Sequence, residues 1–128
     1  MKLLLDTHAL IWWMSDPGRL SSAASSGIRN RANEIRVSAA SAWEVATKYR
    51  LGKLPSLEPV INDLAGQVQA EGFQFLDISF VHGHLAGTLR HDHRDPFDRM
   101  LIAQSLSDGL TLVSNEALFD AFGVDRLW

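Results

Sequence analysis

The chain has 128 residues, of which 46% are hydrophobic, with a formal net charge of −3 and no cysteine. This length predicts a single domain, residues 1–128, with a substantial core, and the hydrophobic content excludes a disordered chain. The lack of cysteine excludes disulfides and thiolate metal sites, no apolar run is long enough to span a membrane, and the acidic balance argues against a broad nucleic-acid-binding surface.

Strand and helix patterns alternate from the first residues onward. The N-terminus begins with a strand, Leu3–Asp6, and has no signal-peptide cleavage site, so we expect the protein to stay in the cytoplasm. This strand is a continuous apolar run, typical of a strand covered on both faces, yet it ends in a charged residue. A short helix from about Thr7 to Met14 follows, and the turn sequence SDPG stops it.

The rest of the chain continues this alternation. The pattern predicts helices over 22–32, 39–51, 57–71, 80–89 and 95–109, strands over 34–38, 73–78 and 110–114, a helical turn over 115–122 and an edge strand over 124–127. Strands joined by helices indicate parallel β-α-β crossovers. We therefore expect an α/β fold with three α/β/α layers and a mostly parallel sheet of four to five strands.

Asp6 stands at the carboxyl end of the first strand, where parallel α/β sheets place their sites. Three further acids can meet it: Glu44 on the helix after the second strand, Asp98 near the start of the 95–109 helix, and Glu116 after the fourth strand. Clustered carboxylates repel one another and resist desolvation, so such a group favours a bound cation. Oxygen ligands without cysteine suit Mg²⁺ or Mn²⁺.

Each acid except the first also has a structural interpretation. Asp95 precedes a proline at a helix start, which is typical of an N-cap, and Asp98 could complete that cap. Glu44 could belong to an S-x-x-E capping box, and Glu116 could be a solvated acid of a first helical turn. Nothing in strand or turn patterns accounts for Asp6, so the group of acids is more informative than any member.

Four segments together carry a resemblance that covers essentially the whole chain. They read LLLDTHALIWW, VSAASAWEVATKYRLGKL, HRDPFDRMLIAQSLSDGLTLVS and FGVDRLW, in this order. The chain resembles a PIN-domain protein of the VapC toxin type. This resemblance implies a Mg²⁺- or Mn²⁺-dependent ribonuclease, the toxin half of a bacterial toxin–antitoxin pair.

The resemblance also assigns metal-binding and catalytic residues. The family's first three acids match Asp6, Glu44 and Asp98. Its fourth motif, threonine–any residue–aspartate, here reads Ser-Asn-Glu, so Glu116 replaces the aspartate with a longer arm and would reach the ion through water. Asp95 matches a frequent subfamily acid, which we interpret mainly as the helix cap.

The implied reaction is hydrolysis of an RNA phosphodiester by water, which leaves a 5′-phosphate and a 3′-hydroxyl. Asp6 and Asp98 would hold the ion directly, and Glu44 would complete or adjust its ligand shell. Thr7 and Ser114 could orient water or phosphate, or could instead cap the turns after their strands.

Two basic groups flank the acids, which suits a phosphate chain laid across a metal site. We therefore expect RNA contacts from Lys48, Arg50, Lys53, Arg94 and Arg99. An ordinary solvated position is the alternative for any one of them. The HDH segment at 91–93 lacks a further ligand pair with suitable spacing, which argues against structural zinc.

The first helix is apolar in almost every direction, with Trp12 and Trp13 near its end. Because a sheet covers only one side of a helix, we expect these tryptophans to contact a partner. The resemblance implies two partners, an antitoxin segment and a second copy of the chain in a homodimer. Burial beneath the second helix is the alternative.

Three other functions stay open at this point. A phosphohydrolase of the haloacid dehalogenase kind also begins with a strand ending in aspartate, but it needs a second aspartate where His8 stands. A phosphoacceptor receiver domain needs paired acids after the first strand, where Asp6 is alone. The Glu116 departure leaves open a catalytically weak PIN fold that serves as an RNA- or protein-binding module.

Overall fold

The computed structural model describes residues 1–128 and contains a five-stranded parallel sheet. The strands are β1 (Lys2–Leu5), β2 (Glu34–Ser38), β3 (Gln74–Leu76), β4 (Thr111–Val113) and β5 (Arg126–Leu127). Their spatial order is β3-β2-β1-β4-β5, and every neighbouring pair is parallel. The predicted α/β fold with a mostly parallel sheet is confirmed.

Helices connect the strands and cover both faces of the sheet, which completes the three predicted layers. They are α1 (Thr7–Ser15), α2 (Ser22–Arg29), α3 (Ala39–Arg50), α4 (Glu58–Ile61), α5 (Leu64–Ala70), α6 (Phe80–Thr88) and α7 (Pro96–Asp108). Short 3₁₀ segments cover 17–19, 55–57 and 117–122. None of the helices combines the length and the apolar character that crossing a membrane requires.

β1 lies at the centre of the sheet and is buried on both faces. Leu3 and Leu5 belong to a core that α1, α2 and α5 cover, whereas Leu4 belongs to a second core beneath α7. Successive side chains of a strand point to opposite faces, so a doubly covered strand needs a continuous apolar run. The three consecutive leucines meet that requirement.

Two predicted helices are shorter than their periodicity indicates. The helix predicted over 57–71 is interrupted between α4 and α5, and the Asp63 carboxylate caps α5 as a separate helix. The helix predicted over 22–32 stops at the end of α2, where the Asn33 side chain donates to the Gly27 carbonyl oxygen at 2.9 Å. Polar side chains bonded to the backbone decide both breaks, and apolar periodicity does not reveal such bonds.

The strand ends bring two helix starts to one edge of the sheet. The register sets Leu5 opposite Val113, and the Asp6 backbone N–H still donates to the Val113 carbonyl oxygen at 3.0 Å. α1 begins directly after β1, and α3 begins directly after β2. The residues at these starts therefore lie at the edge where a parallel sheet builds its site.

Candidate active site

Asp6 begins α1 and has only 3% of its surface exposed. Its Oδ1 atom accepts a hydrogen bond from the Ala9 backbone N–H at 2.7 Å, so Asp6 is the N-cap of the helix. The Ser114 hydroxyl also hydrogen-bonds to this carboxylate. The charge that ends β1 thus has a structural role, which strand and turn patterns did not indicate.

The negative charge of Glu116 acts on the carboxylates of both Asp6 and Asp98. Burial, with a smaller contribution from the negative charge of Glu116, raises the pKa of Asp6 from 3.8 to about 6, although hydrogen bonds to the carboxylate oppose the shift. Burial also raises the pKa of Asp98, and the charges of Asp95 and Glu116 add to that shift. Desolvated acids that repel one another gain free energy from a nearby cation.

Asp95 has the structural role of a helix cap, whereas Asp98 belongs to the candidate site. The Asp95 carboxylate accepts from the backbone N–H groups of Phe97 at 2.9 Å and Asp98 at 3.2 Å, which confirms the predicted N-cap of α7. The Asp98 carboxylate turns away from the backbone, and its Oδ2 atom lies 2.8 Å from Nε2 of His93.

Glu44 is 3% exposed on the inward face of α3. Its carboxylate pairs with the ammonium group of Lys48, one helical turn further on. Ser38 caps α3 by accepting from the Ala40 backbone N–H at 3.0 Å, so the alternative capping box starting at Ser41 is not the cap of this helix. Glu44 is therefore a buried carboxylate with a single cationic partner.

Two contacts hold α3 against the other site elements. The Thr7 hydroxyl donates to Oγ of Ser41 at 3.1 Å, which ties the start of α1 to α3 one turn before Glu44. The rings of Trp43 and Phe97 pack edge to face with centroids 5.0 Å apart, which holds α3 against the first turn of α7. Glu44 thus lies on a helix fixed to the segments that carry Asp6 and Asp98.

The two hydroxyl groups flanking β1 and β4 act inside the protein. Ser114 is fully buried, and its Oγ atom accepts from the Glu116 backbone N–H at 3.0 Å. Thr7 is 4% exposed and bonds to α3. For both residues the structure therefore favours the turn-capping or bracing alternative over direct contact with water or phosphate.

Three of the acids have a basic side chain beside them. Glu44 has Lys48 and Asp98 has His93, while Nδ1 of His8 lies 3.9 Å from Oε1 of Glu116. No three histidine, aspartate or glutamate side chains are close enough to hold an ion as they stand. The four acids therefore do not hold an ion as they stand, and three of them each have a basic neighbour.

The donor set nevertheless fits Mg²⁺ or Mn²⁺. All the acids offer hard oxygen ligands, and Mg²⁺ is commonly held by one or two carboxylates while it keeps several waters. Asp6 and Asp98 are the two acids whose pKa is raised, so a divalent cation would relieve the repulsion there.

Four of the five predicted RNA-binding residues keep a place consistent with that role. Arg50, Lys53 and Arg94 are exposed and form no ion pair, and Lys48 pairs with Glu44. The RNA role of Arg99 stays a prediction, and in the structure its guanidinium group donates to four backbone carbonyl oxygens of residues 86–93. It braces the chain and has few donors left for phosphate.

Trp12 and Trp13 are half-buried by their own chain. Trp12 packs on Trp128 and lies beneath the Arg19 guanidinium group, and Trp13 packs on Phe73. The expectation that these tryptophans form a partner surface stays a prediction, although Trp128 and Phe73 cover part of each ring. Exposed apolar side chains lie elsewhere: Trp43, Phe75, Ile78, Phe80 and Val81.

Two contacts of the site were missed in the sequence. The Glu44–Lys48 pair has the i, i+4 spacing of helical ion pairs and was readable from that spacing. The His93–Asp98 bond crosses a loop and a helix start, so it has no periodic signature.

Known proteins share this sequence pattern and this fold. A family model described as the PIN domain matches residues 3–124. Ribonuclease VapC22 of Mycobacterium tuberculosis (strain ATCC 25618 / H37Rv) is 33% identical over 115 residues, which cover 89% of this chain and 86% of the relative. VapBC2 from Rickettsia felis, bound to a promoter DNA fragment, superposes with a TM-score of 0.73 at 16% identity over 98% of this chain and 97% of that chain. DNA-bound VapBC from Salmonella typhimurium superposes with a TM-score of 0.73 at 18% identity, over 98% of this chain and 96% of that chain. The chain therefore belongs to the PIN-domain family, in its VapC type.

Proposed function

We propose that the protein is a ribonuclease toxin of a toxin–antitoxin pair and that it hydrolyses RNA phosphodiesters with the help of Mg²⁺ or Mn²⁺. The observation that carries this proposal is the pair of desolvated carboxylates of Asp6 and Asp98, each of which Glu116 repels, at the carboxyl edge of a parallel sheet. Family membership removes the haloacid dehalogenase and receiver-domain alternatives. We further infer that residues 1–128 form one PIN domain that acts on RNA in the cytoplasm.

The acids have distinct roles in this proposal. Asp6 and Asp98 would hold the cation, Glu44 would join them on release from Lys48, and Glu116 would act at greater distance, consistent with its partly exposed side chain. A bound divalent cation supplies polarisation of the phosphate and lowers the pKa of a bound water. Asp6, with a pKa of about 6, is mostly ionised at neutral pH and so is available as a ligand.

The basic residues next to the acids would position the RNA chain. Arg50, Lys53 and Arg94 are exposed and free of ion pairs, so they can contact phosphates without losing an internal partner. Lys48 bonds to Glu44. If Glu44 joined the ligands of a cation, the Lys48 ammonium group would become available to phosphate. This arrangement gives affinity for the RNA backbone without selecting its sequence.

A cleavage assay tests the proposal directly. We expect the protein to cut RNA with Mn²⁺ or Mg²⁺ but not in chelator, and to leave 5′-phosphate ends. RNA that is bound but never cut with either ion would instead support the binding-module alternative. Ends bearing a 2′,3′-cyclic phosphate would contradict attack by water.

An apolar groove of about 490 Å³ lies between α3 and α5. Its lining includes Ala42 and Ala46 of α3, Leu64 and Ala65 of α5, and Phe75 of β3. We propose that an antitoxin segment binds here, since the groove is open and apolar and the solved relatives are named as VapBC assemblies. This groove is a second candidate surface for the antitoxin beside Trp12 and Trp13.

Ala46→Glu should weaken antitoxin binding without unfolding the toxin. In the complex with the antitoxin, the new carboxylate would be buried against apolar side chains. An unpaired buried charge costs enough free energy to lower the affinity by at least about tenfold. Isothermal titration with the antitoxin encoded beside this protein measures the loss. Ala23→Glu, an exposed site on α2 outside the groove, is the matched control. Equal affinity of both variants would place the antitoxin elsewhere.

We also propose a homodimer formed through the start of α6. Phe80 is 93% exposed and Val81 is 62% exposed, and the exposed Ile78 lies two residues before Phe80. Phe80→Glu should shift the mass from dimer to monomer in light scattering. Leu51→Glu, an exposed apolar site at the end of α3, should leave the mass unchanged. A Phe80→Glu protein that stays dimeric would contradict this interface.

A further inference from the structure

The Arg99 side chain hydrogen-bonds to the end of α6 and to the loop that connects α6 to α7. Its Nε atom donates to the Ala86 carbonyl oxygen at 2.9 Å, and Nη2 donates to the Leu89 carbonyl oxygen at 2.7 Å. Its Nη1 atom donates to the carbonyl oxygens of His91 at 2.7 Å and His93 at 3.0 Å. One side chain therefore fixes the end of α6 and most of the loop against the first turn of α7.

Only a guanidinium group can make this arrangement. Arginine presents five N–H donors in a rigid planar fork, whereas the lysine ammonium group has three donors at a single point. Arg99 directly follows Asp98 on α7, so the bonds of Arg99 hold the loop at a fixed place relative to Asp98. The loop conformation and the position of the acid are thus mechanically linked.

The loop uses this position to bring the His93 ring onto Asp98. Nε2 of His93 lies 2.8 Å from Oδ2 of Asp98. Because an ionised carboxylate only accepts hydrogen bonds, Nε2 must carry the hydrogen. Oδ1 of Asp98 makes no hydrogen bond, so one oxygen is held and the other is free. The edge of the Phe122 ring, 6.2 Å from the His93 ring between centroids, flanks the histidine on another side.

We propose that His93 is a positioning residue for Asp98, and that Arg99 sets the loop that aims it. This inference rests on the proposed function, in which Asp98 holds the divalent cation. Carboxylates that ligate metal ions are themselves usually hydrogen-bonded, and loss of such a partner typically costs 10- to 100-fold in metal affinity or activity. The bond from His93 holds one carboxylate oxygen and leaves the other without a hydrogen bond, so that the second oxygen would be available to the cation.

The test compares two substitutions that differ in the donor. His93→Gln keeps an N–H group at about the same reach, whereas His93→Leu removes it. We expect His93→Leu to weaken Mn²⁺ binding about 10- to 100-fold, measured by electron paramagnetic resonance of free Mn²⁺, and His93→Gln to restore most of the affinity. His84→Leu removes an exposed histidine from α6 and should bind Mn²⁺ like the wild type.

Kinetics and the arginine give two further measurements on the same full-length protein. His93→Leu should lower kcat while KM for RNA stays nearly unchanged, because the exposed basic residues still hold the backbone. Arg99→Lys keeps the positive charge but loses the fork, so it should also weaken Mn²⁺ binding. An Arg99→Lys protein with wild-type Mn²⁺ affinity would overturn the role of Arg99, and melting curves in chelator check that each variant is folded.

The outcomes separate this inference from the proposed function. A wild type that neither binds Mn²⁺ nor cleaves RNA overturns both. If the wild type binds and cleaves, unchanged Mn²⁺ affinity in His93→Leu overturns the positioning role alone. Equal losses in His93→Leu and His93→Gln also overturn it, since they would mean that the ring's packing matters and its hydrogen bond does not.

Discussion

Asp6→Asn, Glu44→Gln and Asp98→Asn should each lower Mn²⁺-dependent RNA cleavage by at least about 100-fold, the scale of losing one key electrostatic group in an active site. Each change removes a negative charge from a buried or half-buried carboxylate while it keeps the side-chain shape. A neutral amide is a poorer ligand for a divalent cation than a carboxylate. Initial rates on a labelled RNA, at saturating Mn²⁺, measure the losses, and growth on induction reports toxicity.

Glu116→Gln should have a smaller effect than these three substitutions. The Glu116 side chain is 32% exposed and lies beside His8, so we expect an indirect role that a neutral side chain fills in part. Asp63→Asn changes an exposed aspartate that caps α5 and serves as the control for the substitution itself. Full activity of Asp98→Asn would remove Asp98 from the proposed site.

Asp6→Asn should make the protein more stable in chelator at pH 7, by up to about 3 kcal/mol. The pKa of Asp6 rises from 3.8 to about 6 on folding, and each pKa unit corresponds to about 1.4 kcal/mol. Asparagine caps a helix as well as aspartate does, so the bond to the Ala9 backbone N–H is retained. Urea unfolding of both proteins measures the difference.

The difference in stability should depend on pH in one direction. A carboxyl group whose pKa is raised by folding favours the folded state when protonated, and that contribution is lost as the pH rises through about 6. The wild type should therefore regain stability as the pH falls. The difference in free energy of unfolding between Asp6→Asn and the wild type should shrink to about 1 kcal/mol at pH 4.5. Asp63→Asn, at an exposed cap, provides the baseline. A gap that stays constant from pH 7 to 4.5 would show that the Asp6 charge is not the cause.

Saturating Mn²⁺ should make the wild type more stable than Asp6→Asn. A ligand that binds only the folded state stabilises it by about 4.1 kcal/mol at a concentration of 1,000 times its Kd, which exceeds the advantage of Asp6→Asn in chelator. The wild type should gain this stability, and Asp6→Asn should gain much less. Equal metal-induced shifts in both melting curves would contradict the role of Asp6 as a ligand.

The features that were predictable from the sequence are those that a local pattern encodes. Three consecutive leucines indicated a strand buried on both faces, and the proline after Asp95 indicated a capped helix. The break before Asp63 was not predictable from periodicity, because a single polar side chain decides it. The bonds of Arg99 to the loop were not predictable either, since its acceptors are backbone carbonyl groups that carry no sequence signal.

In the candidate site, too, only the features encoded by a local sequence pattern could be predicted. Its acids could be proposed from the sequence, because Asp6 and Glu116 follow strands and Asp98 lies in the first turn of a helix at one edge of a parallel sheet, and their role stays a prediction. Their hydrogen-bonded partners could not be predicted, since His93 and Ser114 meet the acids through the tertiary fold. Asp6 was predicted to be a site residue, and in the structure the same carboxylate also caps α1.

The central place of β1 has a consequence for synthesis on the ribosome. β1 is made first, and β2 can cover one of its edges early, but its other edge pairs with β4 at Thr111–Val113. Until that segment emerges, the nascent chain has an unpaired central strand edge, and the Ser114 and Glu116 neighbours of Asp6 do not yet exist. The four acids therefore come together only after residues 111–116 have been made, and a chain that stops before them lacks the strand that holds the free edge of β1.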